Sequence, residues 1–158
     1  MIVLFFKGLY MVSDIFTSFG DTCKKVIKFK SRANRKEYIY YTIVLILFNI
    51  FLYPIHTLYI TKISIIVLYF FLLIQTIFVL VSLSLTIRRL HDINMSGWYY
   101  LFYIITTSLI YFYFVGKDNG FSLRTTIFAY STFVLMELFL LFFKGTQGPN
   151  KYGNPPEY

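Results

Sequence analysis

Arg88, Arg89, His91 and Asp92 fall within five residues of one another in the stretch RRLHDINMSGWYYL (Arg88 to Leu101). Each of these side chains has a chemistry. Paired guanidinium groups match the oxygens of a phosphate in a forked geometry. An imidazole titrates near neutral pH and serves as acid, base or metal ligand. In a helix that continues to Asp92, Arg88 stands four residues and Arg89 three residues before it, so both arginines reach the carboxylate on one face. His91 and Asp92 are adjacent, diverge by about 100° and do not converge on one ion. The other histidine is His56, and Cys23 is the single cysteine, so neither a metal nor a cofactor is expected. No phosphate loop, zinc-protease helix or nucleophile elbow occurs. His91 would have to act at an interfacial substrate with no recognisable nucleophile beside it, so a non-enzymatic protein is expected.

The elements around these residues follow from local rules. Cations suit a helix C-terminus, where unpaired carbonyls point outwards. Asn94 tolerates the left-handed conformation that ends a helix, and Ser96 is an N-cap for the next one. Trp98, Tyr99 and Tyr100 place amphipathic rings at headgroup depth. The stretch therefore closes a helical hairpin at a membrane surface. Three readings of its purpose stay open: a charged turn that stays wet, a cradle for a phosphate or lipid headgroup, and a docking point for a partner.

The hairpin belongs to a chain too apolar for water. Charged residues make up 14% and apolar ones 58% of its 158 residues, against roughly 25% and about 45–50% in soluble chains. A helix needs about 20 apolar residues to cross hydrocarbon. Four segments approach or meet that length: Tyr38 to Ile60, Ser64 to Ile87, Trp98 to Val115 and Thr126 to Phe143. Their connections, Thr61 to Ile63, Arg88 to Gly97 and Gly116 to Thr125, are short and make sequential helices antiparallel neighbours. Pro54 is expected to kink the first. The expectation is an all-α integral membrane protein, a four-helix up-down bundle over residues 38–143, with 1–37 as an amphipathic N-terminal segment and 144–158 as a tail.

Charge sets the direction. Lys24, Lys25, Lys28, Lys30, Arg32, Arg35, Lys36, Arg88, Arg89, Lys144 and Lys151 fall on one face, and only Lys62, Lys117 and Arg124 on the other. The positive-inside rule then places both termini in the cytoplasm. The formal charge of +8 would suit nucleic acid in a soluble protein, but here anionic headgroups are the nearer partner and no nucleic acid is expected.

Outside the turn, MIVLFFKGLYMV is too short to span and reads as an interfacial segment or a mis-annotated start. Phe16, Phe19, Cys23, Val26 and Ile27 recur at helical spacing, which favours a helix lying on the membrane. Glu137 is the one formal charge inside a proposed span. It reads either as a proton or cation site or as a carboxylate hydrogen-bonded to a neighbour such as Gln75. A small transporter, or an accessory subunit of one, is accordingly the alternative function. The segment FKGTQGPNKYGNPPEY (Phe143 to Tyr158) must leave the helix at Gly145 and turn repeatedly. It reads as a disordered tail or as an ordered lid over the turn.

Three segments together resemble a bacterial inner-membrane family catalogued as domain of unknown function 805. They are FKSRANRKEYIYY (Phe29 to Tyr41), RRLHDINMSGWYYL, and KGTQGPNKYGNPP (Lys144 to Pro156), in matching order and spacing. By that resemblance Arg32, Arg35, Glu37, Arg88, Arg89, His91, Asp92, Ser96, Gly97, Trp98, Asn150, Tyr152 and Gly153 occupy signature positions. The chain departs from the pattern at Ser31 and Asn94, where the family usually has glycine, and at Met95. The resemblance implies a multi-pass inner-membrane location and leaves the activity open. The expected function is a cytoplasmic platform in which Glu37 and Asp92 orient Arg32, Arg35, Arg88 and Arg89 towards anionic headgroups or a protein partner, in a monomer or homo-oligomer. Asn150, Tyr152 and Gly153 would cover it.

Overall fold

Uninterrupted runs of Leu, Ile, Val and Phe, broken by Gly, Asn, Pro and clustered charge, favour long helices joined by tight turns. The computed structural model describes residues 2–59, 65–117 and 123–156. Among these, five α-helices form: α1 (Ile2–Lys24), α2 (Arg35–Tyr59), α3 (Ile65–Asp92), α4 (Trp98–Lys117) and α5 (Leu123–Phe142). The link Thr61 to Ile63, with Lys62, and the centre of the Gly116-to-Thr125 link lie outside the described residues. Tyr69–Asp92 of α3, with α4 and α5, are long and apolar enough to cross a membrane.

Several boundaries differ from the expected ones. The N-terminal amphipathic segment is helical only to Lys24, and residues 25–34 turn before α2 opens at Arg35 rather than Tyr38. α2 continues as helix through Pro54. α3 runs past Ile87 to Asp92, so the Arg88–Asp92 stretch is its last turn. At about 1.5 Å per residue its 28 residues span about 42 Å, more than a hydrocarbon core of about 30 Å.

The chain divides into two compact units. The first holds residues 1–29 and 36–85. Its interior is aromatic: Phe19 of α1 stacks on Tyr41 of α2 (centroids 5.6 Å apart) and leans on Phe78 of α3, which also meets Phe48. The Tyr41 hydroxyl donates to the Phe78 carbonyl at 2.9 Å and bonds Ser82, so its polar tip is satisfied between two helices.

The second unit holds residues 30–35 and 86–158. In it α4 and α5 pack as a hairpin, with Phe114 against Phe128. Burial in this protein is inverted relative to a soluble domain. The largest fully buried side chains are Arg88 and Arg89, while Phe51, Phe70, Phe102, Phe112 and Phe142 are at least 60% exposed. Water does not tolerate that arrangement, but hydrocarbon does.

Candidate functional site

The last turn of α3 organises the second unit. Its end is a Schellman motif: Met95 N–H donates to Leu90 O at 2.8 Å and Asn94 N–H to His91 O at 3.1 Å, with Asn94 at φ 63°. Asparagine thus takes the conformation for which the family resemblance implied glycine. Two residues on, the Ser96 hydroxyl accepts from Trp98 N–H at 3.4 Å and opens α4. Gly97 has no room for a side chain, since a Cβ there would stand 2.7 Å from Ile87 Cγ2.

Asp92 lies at the centre of a buried clasp. Arg32, in the turn before α2, directs Nε and Nη2 to Asp92 Oδ1 at 3.1 and 2.9 Å. Arg89, one turn before Asp92, bonds Oδ2 through Nη1 at 2.5 Å. The Arg32 and Arg89 side chains are 1% and 0% exposed, so little water screens these pairs. Arg89 thus reaches Asp92 as the helical spacing predicts. The second guanidinium that the structure puts on Asp92 comes from Arg32, sixty residues away.

Both arginines also donate to main-chain carbonyls, and Arg32 Nη2 to Thr146 Oγ1 at 3.1 Å. Arg32 Nη2 donates to Thr146 O at 2.7 Å, and Nη1 to Gly148 O at 2.8 Å and Gly153 O at 3.2 Å. Arg89 Nε donates to Leu140 O at 3.0 Å and Nη2 to Phe143 O, while Arg35 Nη1 reaches Phe142 O at 3.3 Å. Leu140, Phe142 and Phe143 lie at the C-terminal end of α5, where helix carbonyls lack intrahelical partners and cations are favoured. One aspartate with two arginines therefore joins four pieces of chain: the turn before α2, the end of α3, the end of α5 and the tail.

The tail is an ordered lid. Thr146 donates from both N–H and Oγ1 to Asp92 O, at 2.8 and 2.9 Å. Asn150 Nδ2 donates to His91 O at 2.9 Å, and Asn150 Oδ1 accepts from Tyr152 N–H at 2.8 Å. Asn150 and Gly153 exchange backbone hydrogen bonds at 3.0 Å, closing a tight loop. The Tyr152 ring lies flat on His91, centroids 3.8 Å apart and 8° from parallel, and Lys151 Nζ stands 5.0 Å from the Tyr152 centroid. His91 Nδ1 is 3.4 Å from Ser31 O, and Ala33 N–H donates to Arg88 O at 3.0 Å, which fixes the segment carrying Arg32. Gly145 passes so close to Asp92 that a Cβ would stand 2.7 Å from its Cγ.

Of the sequence-derived site, Arg32, Arg35, Arg89, His91, Asp92, Asn150, Tyr152 and Gly153 come together through these contacts. Ser96 and Gly97 form the turn beside them. Trp98 is 75% exposed at the start of α4, and Arg88 is fully buried in α3. Glu37 belongs to the first unit, where it accepts from Thr22 Oγ1 at 3.0 Å and stands 3.7 Å from Lys25 Nζ. Gln75 of α3 is half-buried in that unit, and Glu137 of α5 is half-buried in the second. Among the described residues no three His, Cys, Asp or Glu side chains group as a metal site requires. Thr146, Gly148 and Ser31 were not anticipated. The two glycines were the visible signal for the first two, for different reasons: Gly145 passes the Asp92 carboxylate with no room for a Cβ, and Gly148 takes φ 85°.

Fold and site together define an all-helical protein in which, among the described residues, three helices are long and apolar enough to cross a membrane, with a buried arginine–aspartate clasp at the end of a helical hairpin. The family model described as Protein of unknown function (DUF805) matches residues 26–154, and the chain belongs to that family. Comparison with curated proteins and with solved structures returns no match.

Proposed function

We propose that the chain is a non-enzymatic, multi-pass protein of the bacterial inner membrane, with α2 to α5 crossing as an up-down bundle. The basic turn and the C-terminal segment face the cytoplasm, and an exposed cationic and aromatic rim there docks on anionic lipid headgroups. One observation carries this reading: leaving aside Lys117 and Arg124 at the α4–α5 link, the cations of the second unit fall into two sets. Arg32, Arg88 and Arg89 are withdrawn from the surface, whereas Lys30, Arg35, Lys144 and Lys151 are exposed. In the same unit Trp98 and Tyr99 at the start of α4, and Phe142 and Phe143 at the end of α5, are exposed as well. Lysines with amphipathic rings suit the headgroup layer, which attracts each nearby cation by about 1 kcal/mol. The clasp shapes this end of the hairpin, and the rim makes the contacts.

The test is extraction in native-lipid particles. Lys30→Gln, Lys144→Gln and Lys151→Gln together are expected to lower retained anionic lipid by about fivefold per lysine, with the thermal midpoint unchanged. Unaltered lipid in a folded triple variant would refute headgroup docking.

A further inference from the structure

The contacts of α1 carry more than the rim does. Thr22 meets Glu37 and Phe19 meets Tyr41, so stepping back three residues along α1 means stepping forward four along α2. Ser84 Oγ donates at 3.3 Å to the carbonyl of Lys25, the residue just after α1, and Phe78 meets Phe19, so stepping back six residues from Lys25 into α1 means stepping back six along α3. The C-terminal part of α1 therefore runs antiparallel to α2 and parallel to α3. A helix lying flat on the membrane would cross both and keep neither register.

We infer that α1 enters the bilayer as a further crossing, its flank covered by lipid acyl chains, so that its N-terminal end reaches the face opposite Lys24, Lys25 and Lys28. This rests on the proposed crossing of α2 and α3. Three observations support it. At about 1.5 Å per residue, the 23 residues of α1 span about 34 Å, which exceeds a hydrocarbon core of about 30 Å. Tyr10, Met11 and Phe16 are 54–71% exposed, like Ile46, Leu47, Ile50 and Phe51 of α2, which are 53–70% exposed. Its last residue, Lys24, is followed within twelve residues by six further cations, Lys25 to Lys36, while Lys7 alone lies in its N-terminal half. That asymmetry directs a crossing helix with its C-terminus inwards. Asp14, exposed near mid-depth, opposes insertion, and ten Ile, Val, Leu and Phe residues of α1 offset it.

Impermeant thiol reagents on sealed vesicles test this in a Cys23→Ser background. Ile2→Cys and Lys28→Cys are expected to react from opposite faces, and reaction from the same face overturns the inference. Lys117→Cys and Lys151→Cys report separately on the α4–α5 hairpin. They should also react from opposite faces, and their failure to do so would sink the four-span reading instead. A spin label at Phe16→Cys supplies a second readout. Collisions with dissolved oxygen should exceed those with an aqueous nickel chelate if position 16 lies among acyl chains. The reverse order would put α1 back on the surface.

Discussion

Asp92 is the residue on which the second unit turns. Its two oxygens are shared between Arg32 and Arg89, and its carbonyl is taken by Thr146. Asp92→Ala would leave two buried guanidinium groups without their counter-charge. Removing one partner of a buried pair costs about 3–5 kcal/mol, so a large fall in the thermal midpoint of the purified protein is expected. Asp92→Asn keeps the volume and loses the charge, and should fall nearly as far. Gly145→Ala tests the close approach: its Cβ would meet the Asp92 carboxylate, and overpacking of this kind costs about 1–3 kcal/mol. A midpoint within a degree of wild type in both Asp92 variants would mean that the clasp contributes nothing to stability.

At the scale of elements, the ends of α3 and α4 were legible in the sequence and the partners of the clasp were not. Asn94 and Ser96 act through local backbone geometry, which residue type predicts. Arg89 and Asp92 sit three apart on one helix, which spacing predicts. The Arg32–Asp92 pair spans sixty residues, and most of the arginine donors end on carbonyls. Every residue has a carbonyl, so no residue type announces this role, and paired arginines read equally well as a phosphate cradle. The Thr22 and Lys25 contacts of Glu37 were not anticipated either, since they join residues that no local pattern links. The left-handed turn makes its own prediction. Asn94→Ala removes the short polar side chain whose local hydrogen bonding eases φ 63° and should cost about 1 kcal/mol, whereas Asn94→Gly, with no Cβ at all, should be neutral or stabilising. Thermal unfolding of the two variants side by side checks the sign.

At the scale of the molecule, the exposed surface is apolar over most of the helices and cationic where α5 gives way to the tail. The buried arginines there are consumed by structure, so lipid affinity should respond to the exposed lysines and stability to the clasp. Arg32→Ala is expected to release the tail while leaving Lys30, Lys144 and Lys151 in place. The most direct test of the central claim is hydrogen exchange of the tail amides in lipid particles. Thr146 N–H, bonded to Asp92 O, and Gly153 N–H, bonded to Asn150 O, should exchange slowly in the wild type and become fast in Arg32→Ala. Free-peptide exchange at both amides in the wild-type protein would contradict the account, because a lid held by this clasp cannot be open.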